Sequence, residues 1–161
     1  MAKASDMKTN VMRILDQKKV AYQARQYPHG DEAVDGVSVA QLLGQDPDTV
    51  FKTLVTQGAT GKYYVFVVPV LSELDRKAAA RAVREKSIEM IRQAQLLPLT
   101  GYVHGGCSPL GMKKQFTTVL DESARGRESM TVSAGRIGAQ VELAPGDLCR
   151  LSRGSFAPVG K

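Results

Sequence analysis

Alternating apolar and polar residues predict most of the secondary structure of this chain. β-branched and alternating runs predict strands at residues 20–27, 49–56, 63–70, 88–90, 116–120, 130–133, 138–143 and 156–159. Apolar residues at helical spacing predict helices at residues 10–18, 39–43, 73–86, 91–97 and 148–153. Strands and helices are dispersed, and hairpins replace a regular strand–helix–strand alternation, which predicts an α+β fold.

Three helix boundaries rest on specific residues. Ser38 is the predicted N-cap of the second helix, and the run Ser72 to Asp75 resembles a capping box that opens the third. Pro98 is predicted to end the fourth helix, because proline lacks the N–H that a helix interior needs.

The length of the chain suits one domain. Its 161 residues, with 43% hydrophobic and 24% charged residues, are ordinary for a protein with one sizeable core. We therefore predict a single domain over residues 1–161, in which residues 1–8 form a flexible N-terminal tail.

Charge and cysteine content narrow the class of protein. No apolar run approaches the length of a membrane span, and the N-terminus lacks the apolar core of a signal peptide. Two cysteines make no disulfide framework and no Cys/His cluster has metal-ligand spacing, so we expect a cytoplasmic protein without metal or cofactor. The net charge of +6 favours a polyanionic partner.

The candidate functional loop is the glycine-rich segment that ends in a proline. Two adjacent glycines allow another molecule to approach bare N–H groups, and the proline stiffens the exit of the turn. Backbone amides held in this way can bind a phosphate or a polarised carbonyl oxygen. A plain tight turn would have the same local sequence, so both interpretations stay open for Gly105, Gly106, Cys107, Ser108 and Pro109.

Lys52 lies in the middle of a predicted strand. Alternation places it on one face with Val50 and Leu54, while Phe51 and Thr53 share the other face. A lysine at such a position either extends its ammonium group to solvent or projects it into a lined cavity, where a low dielectric strengthens its charge.

Cys107 and His104 invite comparison with a cysteine hydrolase. Residues three apart face each other only on a helix, and a Gly-Gly-x-Ser-Pro segment is not helical. We therefore do not expect the Cys107 thiol to be a nucleophile, although that activity remains an alternative.

Four sequence motifs together resemble one family. Residues 101–114 read Gly-Tyr-x-x-Gly-Gly-x-Ser-Pro-Leu-Gly-x-Lys-Lys, and residues 51–54 read Phe-Lys-Thr-Leu. Residues 132–135 (Val-Ser-Ala-Gly) and 141–143 (Val-Glu-Leu) follow in order. This pattern, which extends over residues 10–156, is similar to the YbaK-type aminoacyl-tRNA deacylases, trans-editing proteins related to the editing domain of bacterial prolyl-tRNA synthetase.

The resemblance implies a fold and a reaction. It implies a curved, mixed and largely antiparallel sheet, barrel-like and flanked by helices. It also implies cleavage of the ester of Cys-tRNA(Pro), in which the substrate's own cysteine thiol attacks its ester carbonyl and expels the tRNA.

The same resemblance assigns roles to residues. Lys52 would be the catalytic lysine, which anchors the terminal nucleotide or stabilises charge at the reacting centre. Tyr27 would lie at the edge of the substrate pocket, and Thr53 and Ser133 would position the substrate with the residue 105–109 loop. Gln140 stands where some relatives carry an aspartate, so a neutral amide replaces an acceptor-only carboxylate and Ala-tRNA(Pro) remains an alternative substrate.

The implied partners are aminoacyl-tRNA, with tRNA(Pro) first, and prolyl-tRNA synthetase. We expect the basic residues to cluster loosely without interleaved aromatic residues, and we therefore expect weak, largely electrostatic RNA binding without base preference. A non-catalytic module that binds tRNA or a synthetase remains the alternative from another class.

Overall fold

A computed structural model describes residues 8–30 and 34–161 of the chain. Its α-helices are α1 (Asn10–Gln17), α2 (Gly36–Leu43), α3 (Arg76–Val83), α4 (Gln93–Thr100) and α5 (Pro145–Leu151). Its strands are β1 (Tyr22–Gln26), β2 (Phe51–Gly58), β3 (Tyr63–Pro69), β4 (Ile88–Met90), β5 (Thr117–Asp121), β6 (Met130–Ser133), β7 (Ala139–Leu143) and β8 (Ser155–Ala157). Within the described ranges no helix has the length and apolar character needed to cross a membrane. Apart from its last residue, the predicted N-terminal tail lies outside the described residues.

The strands form two sheets, which confirms the expected α+β class. One sheet has five strands in the order β4-β2-β3-β5-β8, and the other has three in the order β1-β7-β6. Strands β3, β5 and β8 pair in parallel, whereas the remaining pairs are antiparallel. The five-stranded sheet is therefore mixed, as expected. Within the described residues the two sheets do not close into one barrel.

Two hydrophobic clusters lie on opposite faces of the five-stranded sheet. In β3, Val65 and Val67 enter the larger cluster, while Tyr64, Phe66 and Val68 enter the smaller one beside α3. Successive strand residues point to opposite faces, so a strand buried on both sides is apolar at almost every position. This explains the unbroken apolar run of β3. The larger cluster also joins α1 and the three-stranded sheet to the first.

Three helix boundaries differ from the sequence expectation. Asp35, not Ser38, caps α2 by accepting a hydrogen bond from the Ser38 N–H, and Asp75, not Ser72, caps α3 in the same way. An aspartate carboxylate accepts from the first turn as well as a serine hydroxyl does, so the local sequence offered two caps in each case. Pro98 lies inside α4, which continues to Thr100 and ends at Gly101.

The residue 105–109 loop is fixed against the β6–β7 turn at Gly106. A Cβ at Gly106 would lie 2.8 Å from the Arg136 Cα and 2.9 Å from the Ile137 N. Both are backbone atoms, so neither can move aside without shifting the turn. The Tyr102 hydroxyl donates to the Leu110 carbonyl and ties the two ends of the loop together. Glycine at position 106 is therefore required by packing.

We expect Gly106→Ala to destabilise the fold by about 1–3 kcal/mol, because overpacking against backbone costs energy in this range. Urea unfolding would measure it, with Gly126→Ala as the control, since no atom lies within 4 Å of a Cβ added there. Equal stability of the two variants would contradict the close contact.

Candidate functional site

A cavity of about 630 Å³ lies at the outer edge of β2. Strand β4 pairs only with residues 56–58 of β2, and an isolated bridge joins Val50 to Thr131 of β6. Between these two contacts the edge of β2 has no neighbouring strand among the described residues, and the cavity fills the gap. It is lined from all sides of that gap, by β2, the β4–α4 junction, the start of α2, the residue 105–109 loop, β6 and β7.

The open edge directs Thr53 into the cavity. The Val70 N–H donates to the Val50 carbonyl, whereas the Ile91 N–H donates to the Val55 carbonyl. Even-numbered residues of β2 therefore bond to β3, and the alternation turns the N–H and C=O of Thr53 to the open edge. The Thr53 hydroxyl is also buried, without a hydrogen-bond partner among the described residues. A buried polar group without a partner is costly, so a bound ligand would gain by satisfying it.

Lys52 is half-buried and lines the same cavity. Burial lowers the pKa of its ammonium group from the ordinary value, and the negative charge of Glu73 opposes this effect. Lys52 and Thr53 point to opposite faces of the sheet, yet both reach the cavity, because it opens at the edge of the strand. Strand alternation by itself places these two residues on opposite faces and does not predict that they share a cavity.

The residue 105–109 loop supplies two of its five residues to the cavity wall. Gly105, with φ +88°, and Cys107 line it. The Gly106 N–H donates to the Val103 carbonyl, and the Ser108 hydroxyl accepts from the Leu110 N–H. Gly106, Ser108 and Pro109 are buried but do not line the cavity. The amides that remain candidates for binding an oxyanion are therefore those of Gly105 and Cys107.

The Cys107 thiol is buried in apolar surroundings. Burial raises its pKa to about 12, and a hydrogen bond with the Thr100 side chain opposes the shift only in part. Because the thiolate is the nucleophilic form, such a thiol is unreactive near neutral pH. His104 lines the cavity as an exposed side chain. The environment of Cys107 thus suits a packing residue.

Tyr27, Ser133 and Gln140 line the wall opposite β2. Tyr27 is buried at the end of β1, where its N–H donates to the Gly138 carbonyl. The Ser133 hydroxyl accepts from the Gly135 N–H at 3.1 Å. Gln140 is only 5% exposed, and its Oε1 accepts from the Gln45 Nε2 at 2.9 Å. The structure therefore gathers seven of the ten residues singled out from the sequence around one cavity.

Sequence reasoning missed several residues of this cavity. Arg92, exposed at the β4–α4 junction, brings a second cation to the wall. Asp35 brings a carboxylate, whose pKa is lowered by hydrogen bonds from the Ser38 N–H and hydroxyl. Both residues stand at helix starts, so their local sequence indicates capping and charge but no site. No group of three or more potential metal ligands occurs in the described part of the chain.

Comparison with known proteins identifies one family. The aminoacyl-tRNA editing domain matches residues 31–151. A candidate Cys-tRNA(Pro)/Cys-tRNA(Cys) deacylase of Enterococcus faecalis, EbsC, is 43% identical over 157 residues, which are 98% of this chain and 96% of that protein. The proline–tRNA ligase of Pelobacter propionicus is 27% identical over 96 residues, 60% of this chain and 17% of the ligase. The crystal structure of a candidate trans-editing enzyme for prolyl-tRNA synthetase has a TM-score of 0.80 at 22% identity, over 96% of this chain and 99% of that one.

We expect Cys107 to alkylate at least about 100-fold more slowly than a free thiol at pH 8, because its raised pKa leaves little thiolate. Mass spectrometry of the iodoacetamide-treated Cys149→Ser variant would follow Cys107 alone. The same variant in urea is the control, since unfolding removes the burial. Modification of folded Cys107 at the unfolded rate would contradict the buried placement.

Proposed function

This chain belongs to the aminoacyl-tRNA editing domain family, and we propose that it is a trans-editing deacylase that cleaves the ester of mischarged Cys-tRNA(Pro). The observation that carries the proposal is the cavity at the open edge of β2. Its wall contains the half-buried Lys52, the buried Thr53 hydroxyl, which has no partner among the described residues, and backbone of the residue 105–109 loop. The Cys107 thiol in the same wall is not activated. These groups can hold an ester and stabilise charge, but they include no evident protein nucleophile.

The reaction can use a nucleophile that the substrate carries. The cysteine sulfur of Cys-tRNA attacks its own ester carbonyl carbon, so that a C–S bond forms and the C–O bond to the terminal ribose breaks. The thiol proton ends on the released ribose hydroxyl. The protein confines the aminoacyl group so that sulfur and carbonyl carbon meet, which lowers the entropic part of the barrier.

Lys52 supplies positive charge where negative charge develops. Its ammonium group lies in a partly desolvated wall, where a charge interacts more strongly than in water. Gly105 and Cys107 line the same cavity, and their amides are the proposed donors to the carbonyl oxygen. Thr53, Tyr27 and Ser133 are proposed to position the aminoacyl group, and Arg92 to contact the tRNA backbone at the mouth.

Gln140 favours a second candidate substrate. Its amide is neutral, and Gln45 occupies one of its hydrogen-bonding atoms. A neutral amide at this position selects less strongly for a charged or thiol-bearing group than a carboxylate would, so Ala-tRNA(Pro) is the alternative. Water would then be the nucleophile.

Partners and location follow from the same proposal. A segment of a proline–tRNA ligase is similar to part of this chain. We therefore propose tRNA(Pro) as the tRNA, prolyl-tRNA synthetase as the protein that delivers it, and the cytoplasm as the compartment. We also assign residues 1–161 to one deacylase domain that needs no cofactor or metal.

The function is tested with one tRNA(Pro) body carrying cysteine, alanine or 2-aminobutyrate, which replaces the thiol by a methyl group. We expect cleavage of the cysteinyl ester, with the cysteinyl group released as a cyclic thioester that water then opens to cysteine, and rates near the uncatalysed background for the other two. Equal cleavage of 2-aminobutyrate would show that water is the nucleophile. Failure of the folded protein to cleave any of the three would favour the non-catalytic binding module.

We expect Lys52→Ala to lower the deacylation rate by at least about 100-fold, as loss of a group that stabilises an oxyanion does. Lys52→Arg should not restore it, because a planar guanidinium is wider than an ammonium group. Both variants should keep their melting temperature, since burial disfavours the charged lysine. Lys18→Ala, at the exposed end of α1, is the matched control. Near wild-type turnover by folded Lys52→Ala would make Lys52 a surface residue only.

A further inference from the structure

A second cavity, of about 510 Å³, opens at the other end of the five-stranded sheet. It lies where β3 and β5 begin, beside the end of α3, and it shares no lining residue with the cavity at β2. We call it the β3–β5 groove. Lys62, Tyr63, Lys114 and Phe116 form its polar and aromatic part, and Val83 and Val119 lie at its apolar side.

Parallel pairing creates the groove. Tyr64 is paired with Thr117, so the residues just before them, Tyr63 and Phe116, are lateral neighbours. Each has a lysine one or two positions earlier in the sequence, Lys62 and Lys114. Because parallel strands begin at the same end of a sheet, two basic–aromatic segments about fifty positions apart in the sequence come together. The expectation that basic residues lack interleaved aromatic residues is therefore wrong at this place.

The two aromatic rings are in edge-to-face contact. Their centroids are 5.9 Å apart and their planes meet at 68°. In such a pair one ring presents its edge, so both of its faces remain uncovered by the partner ring. Both side chains are half-buried. Phe116 packs against the larger cluster, but Tyr63 belongs to neither cluster of the described residues. Burial in the core therefore does not account for Tyr63.

The charge at the groove is positive. Lys62 and Lys114 are exposed, and neither forms an ion pair with another residue in the described ranges. The carboxylate that faces Lys62 is that of Glu85, whose pKa is lowered mainly by hydrogen bonds from the Thr60 and Tyr64 side chains, with Lys62 contributing by its charge. Glu85 offsets part of the positive potential near Lys62, so Lys114 is the lysine that we assign to a phosphate. Among the residues that the structure describes, no acidic residue lines the groove.

We propose that the β3–β5 groove binds an unpaired nucleotide of an RNA strand, with the base on the Tyr63–Phe116 pair and a phosphate on Lys114. Aromatic stacking needs an unpaired base, and a basic side chain beside it suits the backbone of a single strand. A duplex has no free base face to offer, and an acidic peptide would use the lysines but leave the rings unused. That the RNA is the substrate tRNA rests on the proposed function.

The direct test is binding of a fluorescein-labelled eight-nucleotide oligo(U), followed by anisotropy. We expect Phe116→Leu, which keeps apolar contact but removes the ring, to weaken binding about tenfold, in the range measured for loss of a stacking residue. Lys114→Gln should weaken it and reduce its salt dependence by about one ion. Lys18→Gln is the matched control and should bind like the wild type. A thermal melt would check the fold of Phe116→Leu, and the exposed position of Lys114 makes misfolding of Lys114→Gln no concern.

The outcomes separate the groove from the deacylase. Wild-type affinity of both groove variants, equal affinity for a duplex of the same length, or equal binding of oligoglutamate would overturn the groove. With Cys-tRNA(Pro), the groove variants should raise KM and leave kcat unchanged. Oligo(U) binding that depends on Phe116 and Lys114, in a protein that deacylates nothing, would support the groove and overturn the deacylase. Deacylation with an unchanged KM in both groove variants would support the deacylase and overturn the groove as a binding site for the substrate tRNA.

Discussion

The structure depends on the outer edge of β2, which contacts a different strand at each of its two ends. At one end Val50 bridges to β6, and at the other end residues 56–58 pair with β4. A strand edge with unpaired N–H and C=O groups normally has to be paired or covered. Here the stretch between the two contacts is left open, and the surrounding loops turn it into the wall of a cavity. The backbone of Thr53 and the side chains of its neighbours thereby become available to a ligand.

Several groups around this edge are left in an unfavourable state by the fold. Lys52 is partly desolvated, and the Thr53 hydroxyl has no partner among the described residues. Each costs stability in the empty protein, and each would be relieved by a ligand with an acceptor atom and negative charge. A reacting ester offers both when charge develops on its carbonyl oxygen.

One continuous segment contributes both the residue 105–109 loop and one side of the β3–β5 groove. Gly105 and Cys107 line the cavity at β2, while Lys114 and Phe116, a few positions later, line the groove. Gly106 anchors the first part against the β6–β7 turn, and Phe116 leads into β5. One segment thus contributes residues to both cavities.

Local sequence determined the kinds of element, and its motifs marked part of the candidate site. Alternation located the strands to within a few residues but put Lys52 and Thr53 on opposite faces of β2, and the glycine–proline pattern marked the loop of Gly105 and Cys107. Tertiary structure alone decided that both faces of β2 reach one cavity, that Gly106 serves packing, and that Tyr63 meets Phe116. The reason is physical: periodicity reports which side of an element is apolar, whereas strand pairing and open edges depend on contacts between distant segments.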